Sequence, residues 1–536
     1  MPRLLLFLCF FTGSVRCQIP ELMWAKGFFE NNVSNPSVYS NGRSVAVDAQ
    51  GNVYSVGIFN ESVDFDPGPG VFTMVGGDQF HNGIYLSKLD RDGNFAWAVQ
   101  VPTSLEFGQM EVKIDSDGNV YLASDIMSTV DMDPGPGVLT MSPTGGRDVF
   151  VAKYSPAGNL IWAKQFGGPG DTIGNFTSFD IDPDNNLIIA GIFNNTQDFD
   201  PGPGVYNMTS TAHMQSFIVK LSGNGNFIWA RQFGNSLVVS SGSKIAELRT
   251  DPKGNILMTG SFSGTCDFDP GTGSFMMTNS SGSSSDGYFC KLDRDGNFVW
   301  AKSIGQTGGY NHYVLPYGMD IDGSGSMIIT GTFIGNYDFD PGPGTSFVFA
   351  NPGDCFILKL DGNGDFVWVK TMGNEEFDMG IDLVIDSEDN IYVAASLSMG
   401  VDLDPGPGQH IFNGAESGAA PIIKFDPAGN FVYAAPFRGV NGGNASFRRM
   451  AIDPERNIYV TGTLYGIADF DPGPGVYEMD ALYDQAPFVF KLGHCKNITR
   501  STLDIIACSN YTLNNTTYDS SGTYTQTLMN TSGCDS

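Results

Sequence analysis

Apolar and polar positions along this chain fall into short runs with no helical spacing. Val45-Ala46-Val47-Asp48 leads into Ala49-Gln50-Gly51-Asn52 and then Val53-Tyr54-Ser55-Val56-Gly57. Such a pattern predicts two strands joined by a tight turn. The Asp can cap its own backbone, and Gly and Asn tolerate positive φ. Equivalent D-x-x-G-N turns start at Asp115, Asp182, Asp251, Asp322, Asp386 and Asp453. A third run, Tyr85 to Leu89, has an aromatic-x-x-Lys pattern that returns at Phe150/Lys153, Phe217/Lys220, Tyr288/Lys291, Phe356/Lys359 and Phe488/Lys491; the sixth copy has Pro421 before Lys424. A second tight turn, Asp90 to Asn94, precedes a fourth run, Phe95 to Ala98. Every tryptophan occupies that fourth run: Trp24, Trp97, Trp162, Trp229, Trp300 and Trp368, with Tyr433 as the seventh member of the series. An indole buries roughly 200 Å2. A ring of them at one repeat position predicts packing between neighbouring units, not a cofactor-stacking surface.

Between the second and third runs lies Asp64-Phe65-Asp66-Pro67-Gly68-Pro69-Gly70. It recurs with paired Asp at 131 and 133, 198 and 200, 267 and 269, 338 and 340, 402 and 404, and 469 and 471. The spacing predicts one supersecondary unit of about 67 residues repeated seven times. Four short strands per unit describe an all-β, seven-bladed β-propeller. Trp24-Ala25-Lys26 is a fourth strand with no first three before it, and the last unit lacks its fourth. The N-terminal strand is therefore expected to complete the final sheet and close the ring, since a linear stack would leave two bare edges. The organisation expected is a signal peptide over 1–17, the propeller over 18–493, and a small, truncated C-terminal β module over 494–536. Both tight turns should share one face. The D-F-D-P-G-P-G segments should begin the long loops of the opposite face, where binding is expected.

Composition sharpens the function class. Lys and Arg number 28 against 58 Asp and Glu, a net charge of −30, which disfavours nucleic acid and anionic membranes as partners. Met1-Pro2-Arg3, an apolar run to Phe11 and smaller residues to Cys17 read as an export signal, too short to span a bilayer. No other segment is long and apolar enough for a membrane helix. After cleavage, Cys266, Cys290, Cys355, Cys495, Cys508 and Cys534 remain. Cys508 with Cys534 is the favoured disulfide, and Cys266 with Cys290 a second candidate within one repeat. The absence of C-x-x-C excludes zinc ribbons and thioredoxin-type chemistry.

The paired aspartates Asp64, Asp66, Asp131, Asp133, Asp198, Asp200, Asp267, Asp269, Asp338, Asp340, Asp402, Asp404, Asp469 and Asp471 are candidate calcium ligands by donor type. Pro and Gly directly after each pair favour a structural turn instead, and no cofactor is expected. No catalytic residue is singled out. His81, His213, His312, His410 and His494 form no H-E-x-x-H, and no G-x-S-x-G elbow occurs.

The D-x-x-G-N turns, the W-A-K strand, the F-x-x-K strand and D-F-D-P-G-P-G together resemble the bacterial seven-bladed propeller repeat called the SBBP repeat, over about residues 20–493. Departures are Thr272 for Pro, Tyr433 for Trp and Ser326 for the turn Asn. The tail from Cys508 to Cys534 is similar to a small β module near the C-termini of Bacteroidetes secreted and cell-surface proteins. The resemblance implies an extracellular or cell-surface propeller and no catalytic residues. The expected function is a monomeric, non-enzymatic adhesion scaffold contacting protein or glycan through the long-loop face. The alternative is a secreted polysaccharide hydrolase or lyase with acidic residues at the channel mouth. A true active site should break the repeat symmetry.

Overall fold

The computed structural model describes residues 19–30, 40–76, 82–102, 108–168, 175–210, 215–233, 243–279, 285–306, 313–412, 420–493, 511–513 and 516–518. All regular structure among them is β-strand. In the first unit, Asn41–Val47, Val53–Phe59, Gly83–Leu89 and Phe95–Pro102 pair in that order, each antiparallel to the next. Six further four-stranded units follow. In the last, the outer strand is Glu21–Gly27, paired with Glu478–Gly493 so that Trp24 faces Lys491 and Gly27 faces Phe488. First strands of successive units touch one another, and the seventh, the latter part of Phe431–Ile452, touches Asn41–Val47 of the first.

The tight turns form because an Asp side chain replaces missing backbone partners. Asp48 Oδ1 accepts from Gln50 N (3.0 Å) and Asn52 N (2.9 Å), while its Oδ2 accepts from Asn52 Nδ2 (2.7 Å) and Tyr54 Oη (3.2 Å). Gly51, at φ 82°, supplies the left-handed residue.

One contact recurs between successive units, though in the third the Trp229 indole N–H has no hydrogen-bond partner among the described residues. The tryptophan lies directly opposite the third-strand lysine, as Trp97 does Lys88 and Trp162 does Lys153. Both side chains then reach the second tight turn of the following unit. Trp97 Nε1 and Lys88 Nζ each donate to Pro156 O at 3.1 Å. Trp162 and Lys153 donate to Gly223 O at 3.3 and 3.2 Å. The indole also lies flat against that turn's glycine: a Cβ on Gly158 would sit 3.0 Å from Trp97, and one on Gly364 2.9 Å from Trp300. The lysine is held from its own side by the first-turn aspartate, as in Lys220–Asp182 at 2.8 Å and Lys359–Asp322 at 2.8 Å. The same contact joins the last unit to the first, where Trp24 Nε1 and Lys491 Nζ donate to Arg91 O at 3.2 and 3.4 Å. Tyr433 replaces Trp only in the sixth unit. The neighbour it faces takes its third and fourth strands from opposite ends of the chain, so no tight turn joins them.

The D-F-D-P-G-P-G segment forms the structural turn expected of it, but in a different place. It is a small hairpin on the outer flank, not a frame around an open face. Asp64 Oδ1 accepts from Asp66 N (3.0 Å) and Phe72 N (2.8 Å), and Asp66 Oδ1 from Gly68 N (2.8 Å). Copies as distant as Asp469/Asp471 repeat these bonds. Between the two aspartates, buried Phe65 packs on Phe28, Phe59 and Tyr85. One edge of the hairpin pairs with the preceding unit's outer strand, through Phe29 with Asp64, Gly167 with Asp198, Gly305 with Asp338 and Arg438 with Asp469. The other edge receives its own unit's outer strand, through Gln100 Nε2 to Val75 O at 2.9 Å and Gln165 Nε2 to Ser142 O at 2.7 Å. Its tip folds back until Phe72 lies 4.9 Å from Phe95, beside the second tight turn. The segment is a clasp across the seam between units.

The Cys266–Cys290 disulfide is likewise corrected, because both thiols are free. Cys290 lies opposite Met258 and Ala301 in its sheet, and Cys266 opposite Met277 in the flank hairpin. Each fills an apolar position that other units give to residues such as Val63 and Val219. Burial pushes the Cys266 thiol up to about 11, as suits a packing residue. Cys508 and Cys534, the signal segment 1–17, and His81, His213, His312 and His494 lie outside the described residues.

Two outcomes are expected. Gly93→Ala and Gly364→Ala force a Cβ at φ 79° and 78° against Trp24 and Trp300. Each should cost about 1–3 kcal/mol in chemical denaturation, the Gly93 variant no less than the other if the two junctions are equivalent. Acid should also destabilise the fold. Burial raises the carboxyls of Asp115, Asp182, Asp251, Asp322 and Asp386, but turn hydrogen bonds, joined at Asp115, Asp182 and Asp322 by the seam lysine, outweigh it and hold them below the ordinary 3.8. Their contribution is present above 3.8 and lost as pH falls further. Thermal melting should therefore drop steeply below about pH 4.

Candidate functional site

Alternate residues of each innermost strand face the centre. Four positions before the strand-ending Asp stand Ser44, Glu111, Ser178, Glu247, Gly318, Asp382 and Arg449 in successive units. Two positions before it stand Ala46, Lys113, Asp180, Arg249, Asp320, Val384 and Ala451. Apart from Ser178, Glu247 and Gly318, these side chains line a cavity of about 630 Å3. The cavity runs from the level of Ser44, Glu111 and Arg449 to the first turn residues Pro183, Pro252 and Gly323, so its mouth is on the tight-turn side.

Innermost strands have one edge without a ladder partner, and their N–H groups need acceptors. Channel side chains supply them across five of the seams. Ser44 Oγ accepts from Val112 N (3.2 Å), Glu111 Oε2 from Phe179 N (3.0 Å), Ser178 Oγ from Leu248 N (3.4 Å) and Asp382 Oδ2 from Met450 N (2.7 Å). One level outward, Asp180 Oδ2 accepts from Thr250 N (2.8 Å) and Asp320 Oδ2 from Ile385 N (3.1 Å). Short acidic side chains in the channel are thus edge caps as well as charges.

Their charge converges on a few cations. Arg449 pairs with Glu111 at 3.1 Å, Glu247 at 2.7 Å and Asp382 at 3.2 Å, so one guanidinium ties together the second, fourth, sixth and seventh units. Arg249 pairs with Glu247, and Lys113 lies 3.4 Å from Asp180. Across the two levels five carboxyl groups face three cations. Burial, then the Glu247 charge, pushes the Glu111 carboxyl up despite Arg449. Burial also pushes at Glu247, but Arg249 and Arg449 more than cancel it and hold that carboxyl below the ordinary range. Burial raises Asp320 and Asp382 too.

The residues that the sequence marked most visibly lie elsewhere. The paired aspartates are spent on backbone N–H groups of the flank hairpins. Among the described residues no group of three or more His, Cys, Asp or Glu side chains is placed to hold a metal ion. The tryptophans serve the seams, and His410 stacks 5.0 Å from Phe431 on its hairpin. The channel constellation escaped a reading that followed what the repeats share. Its signal was the reverse: two strand positions at which the repeats disagree, and disagree by charge.

Removing the shared cation should be costly. Arg449→Met leaves three buried carboxylates facing one another, with an expected loss of about 3–5 kcal/mol at neutral pH. The Glu111 and Asp382 carboxyls, already raised by burial, are then raised further above their unfolded values, so the penalty holds above their folded pKa and is relieved as pH falls through it. Denaturation at about pH 7 and pH 5 should show a smaller deficit at the lower pH.

No family model matches the chain. It is 24% identical, over 501 residues and 76% of its length, to an uncharacterised WD repeat-containing protein of Acanthamoeba polyphaga mimivirus, of which it spans 34%. Among solved structures, the polysaccharide lyase Uly1 aligns at a TM-score of 0.41 and 11% identity, covering 88% of this chain and 99% of that one. A polysaccharide lyase of family PL25, an ulvan lyase, aligns at 0.41 and 12%, covering 82% and 93%. A virginiamycin B lyase from Staphylococcus aureus aligns at 0.37 and 7%, covering 87% and 99%. The all-β units and the WD-repeat relative together support a β-propeller repeat protein.

Proposed function

We propose that this chain is an exported, seven-bladed β-propeller closed by its N-terminal strand, and that it acts as a binding module outside the cell. The ligand, a glycan or a protein segment, is held at the channel mouth on the tight-turn side. The observation that carries this reading is the pair of channel levels where the sevenfold pattern breaks into five carboxylates and three cations around a cavity of about 630 Å3. That volume suits a small-molecule or chain-end site. The flank hairpins are poor candidates for the contact, because their aspartates and aromatic rings are engaged in the seams.

Binding without turnover follows from how the carboxylates are used. Glu111 accepts a backbone N–H and an arginine, and Glu247 carries two arginines. A general acid or base needs a proton-transfer partner within reach of substrate, but Glu111 lies engaged at the cavity floor and Glu247 lies outside the cavity lining. A polysaccharide hydrolase or lyase is the second reading. It is favoured by one observation: Glu111 is pushed up and Glu247 down, with Ser178 Oγ 3.5 and 3.0 Å from them. Opposed shifts in neighbouring carboxyls are a pattern of acid–base pairs.

A glycan array combined with a polysaccharide-degradation screen on the full chain separates the two. Saturable binding with no reducing-end or unsaturated product is expected. Product release without stable binding, abolished by Glu111→Gln, would establish the enzyme instead.

A further inference from the structure

The outer of the two channel levels is divided. Units two to five contribute Lys113, Asp180, Arg249 and Asp320, an unbroken arc of alternating sign. Units six, seven and one contribute Val384, Ala451 and Ala46 across the cavity. Above this level the wall is formed by turn residues such as Pro183 and Pro252. A ligand seated here meets donors and acceptors on one side and hydrocarbon on the other.

The arc's charges are compensated locally. Lys113 lies 3.4 Å from Asp180. Asp180 keeps Thr250 N and Thr250 Oγ1 on Oδ2, at 2.8 and 2.9 Å. Asp320 accepts from Ile321 N on Oδ1 (2.9 Å) and Ile385 N on Oδ2 (3.1 Å). Burial opposes the Arg249 charge, but Glu247, Asp180 and Asp320 outweigh it and keep the guanidinium firmly protonated. An anionic ligand would meet an arc whose charges already balance, above an inner level where three carboxyls share Arg449. A zwitterion would have to compete with the existing Lys113–Asp180 and Arg249–carboxylate pairs. A neutral polyol need break none of them. Each hydroxyl can donate to a carboxylate lone pair and accept from an ammonium or guanidinium N–H. The C–H face of a sugar ring then fits the Val384, Ala451 and Ala46 side.

We propose that the channel mouth binds a neutral pyranoside, its hydroxyl edge on the Lys113–Asp180–Arg249–Asp320 arc and its C–H face on Val384 and Ala451. This rests on the binding-module reading above and names its ligand class. With Lys113 and Arg249 already paired, the arc has no surplus cation to offer a uronate, so uronates should bind less well than neutral sugars.

The test is saturation-transfer NMR on the full chain. The probes are methyl glucoside, methyl galactoside, methyl mannoside and N-acetylglucosamine, with glucuronate and glycine as the anionic and zwitterionic comparators. At least one neutral sugar should bind with a Kd of roughly 1 mM, with saturation strongest on ring C–H protons. Lys113→Gln and Ala451→Asp should each weaken it about tenfold. Both sites are partly exposed, and unchanged melting would show that each variant folds. Silence from every neutral sugar, or binding unchanged in both variants, overturns the proposal. If glucuronate or glycine binds instead and Lys113→Gln abolishes it, the sugar class falls while the binding module stands. If a neutral sugar polymer is cleaved rather than held, the binding module itself falls.

Discussion

A tryptophan laid on a glycine of the next unit is the contact on which the rest depends. The indole brings apolar area to the seam, and its N–H shares one carbonyl with a lysine from the neighbouring strand. That lysine is part-buried, and it is ion-paired with the aspartate that caps its own unit's first turn. Each turn therefore does two jobs. It reverses the chain, and it supplies either the anion or the carbonyl of a seam. The glycine is obligatory on both counts, since its φ is positive and a Cβ would enter the ring. Outside this seam the flank hairpin repeats the linkage with backbone pairing and a buried aromatic plug.

With seams fixed by shared residues, the centre is free to vary. Each innermost strand presents unpaired N–H groups to its neighbour, and any short acceptor can satisfy them. Ser44, Glu111, Ser178 and Asp382 do so with different charges. The scaffold thus tolerates chemical diversity where the ring's axis lies, provided cations such as Arg449 balance the carboxylates that diversity introduces. Buried ion pairs of this kind are weak sources of net stability but strong determinants of arrangement. The same economy places the divided arc of Lys113 to Asp320 opposite Val384 and Ala451, and so gives the channel mouth a polar and an apolar wall.

Much of this was legible in the sequence. The tight turns, the four strands per unit and the strand positions of Trp and Lys follow from local chemistry that repeats. The location of D-F-D-P-G-P-G was not legible. Its local folding as a turn follows from Pro and Gly, but its docking depends on the preceding unit's outer strand, 30 or more residues upstream in sequence, as with Phe29 and Asp64. Cys266 and Cys290 suggested a bridge because they are rare residues in one repeat, whereas each substitutes for an aliphatic side chain of similar size. Glu111, Arg249 and Arg449 were hidden by the same regularity that revealed the fold. Aligning units on their strand-ending aspartates brings them out, because at those inward positions the repeat changes sign from one copy to the next.

The junction between the last unit and the first is the point at which a ring and an open stack differ. Hydrogen–deuterium exchange of Glu21–Gly27 measures it directly. Amides of Ala25 and Lys26, which pair with Phe490 and Val489, should be protected to the level of the central strand Val53–Phe59. Exchange there at the rate of an unstructured terminus, with Val53–Phe59 still protected, would contradict a ring locked by Trp24 on Gly93.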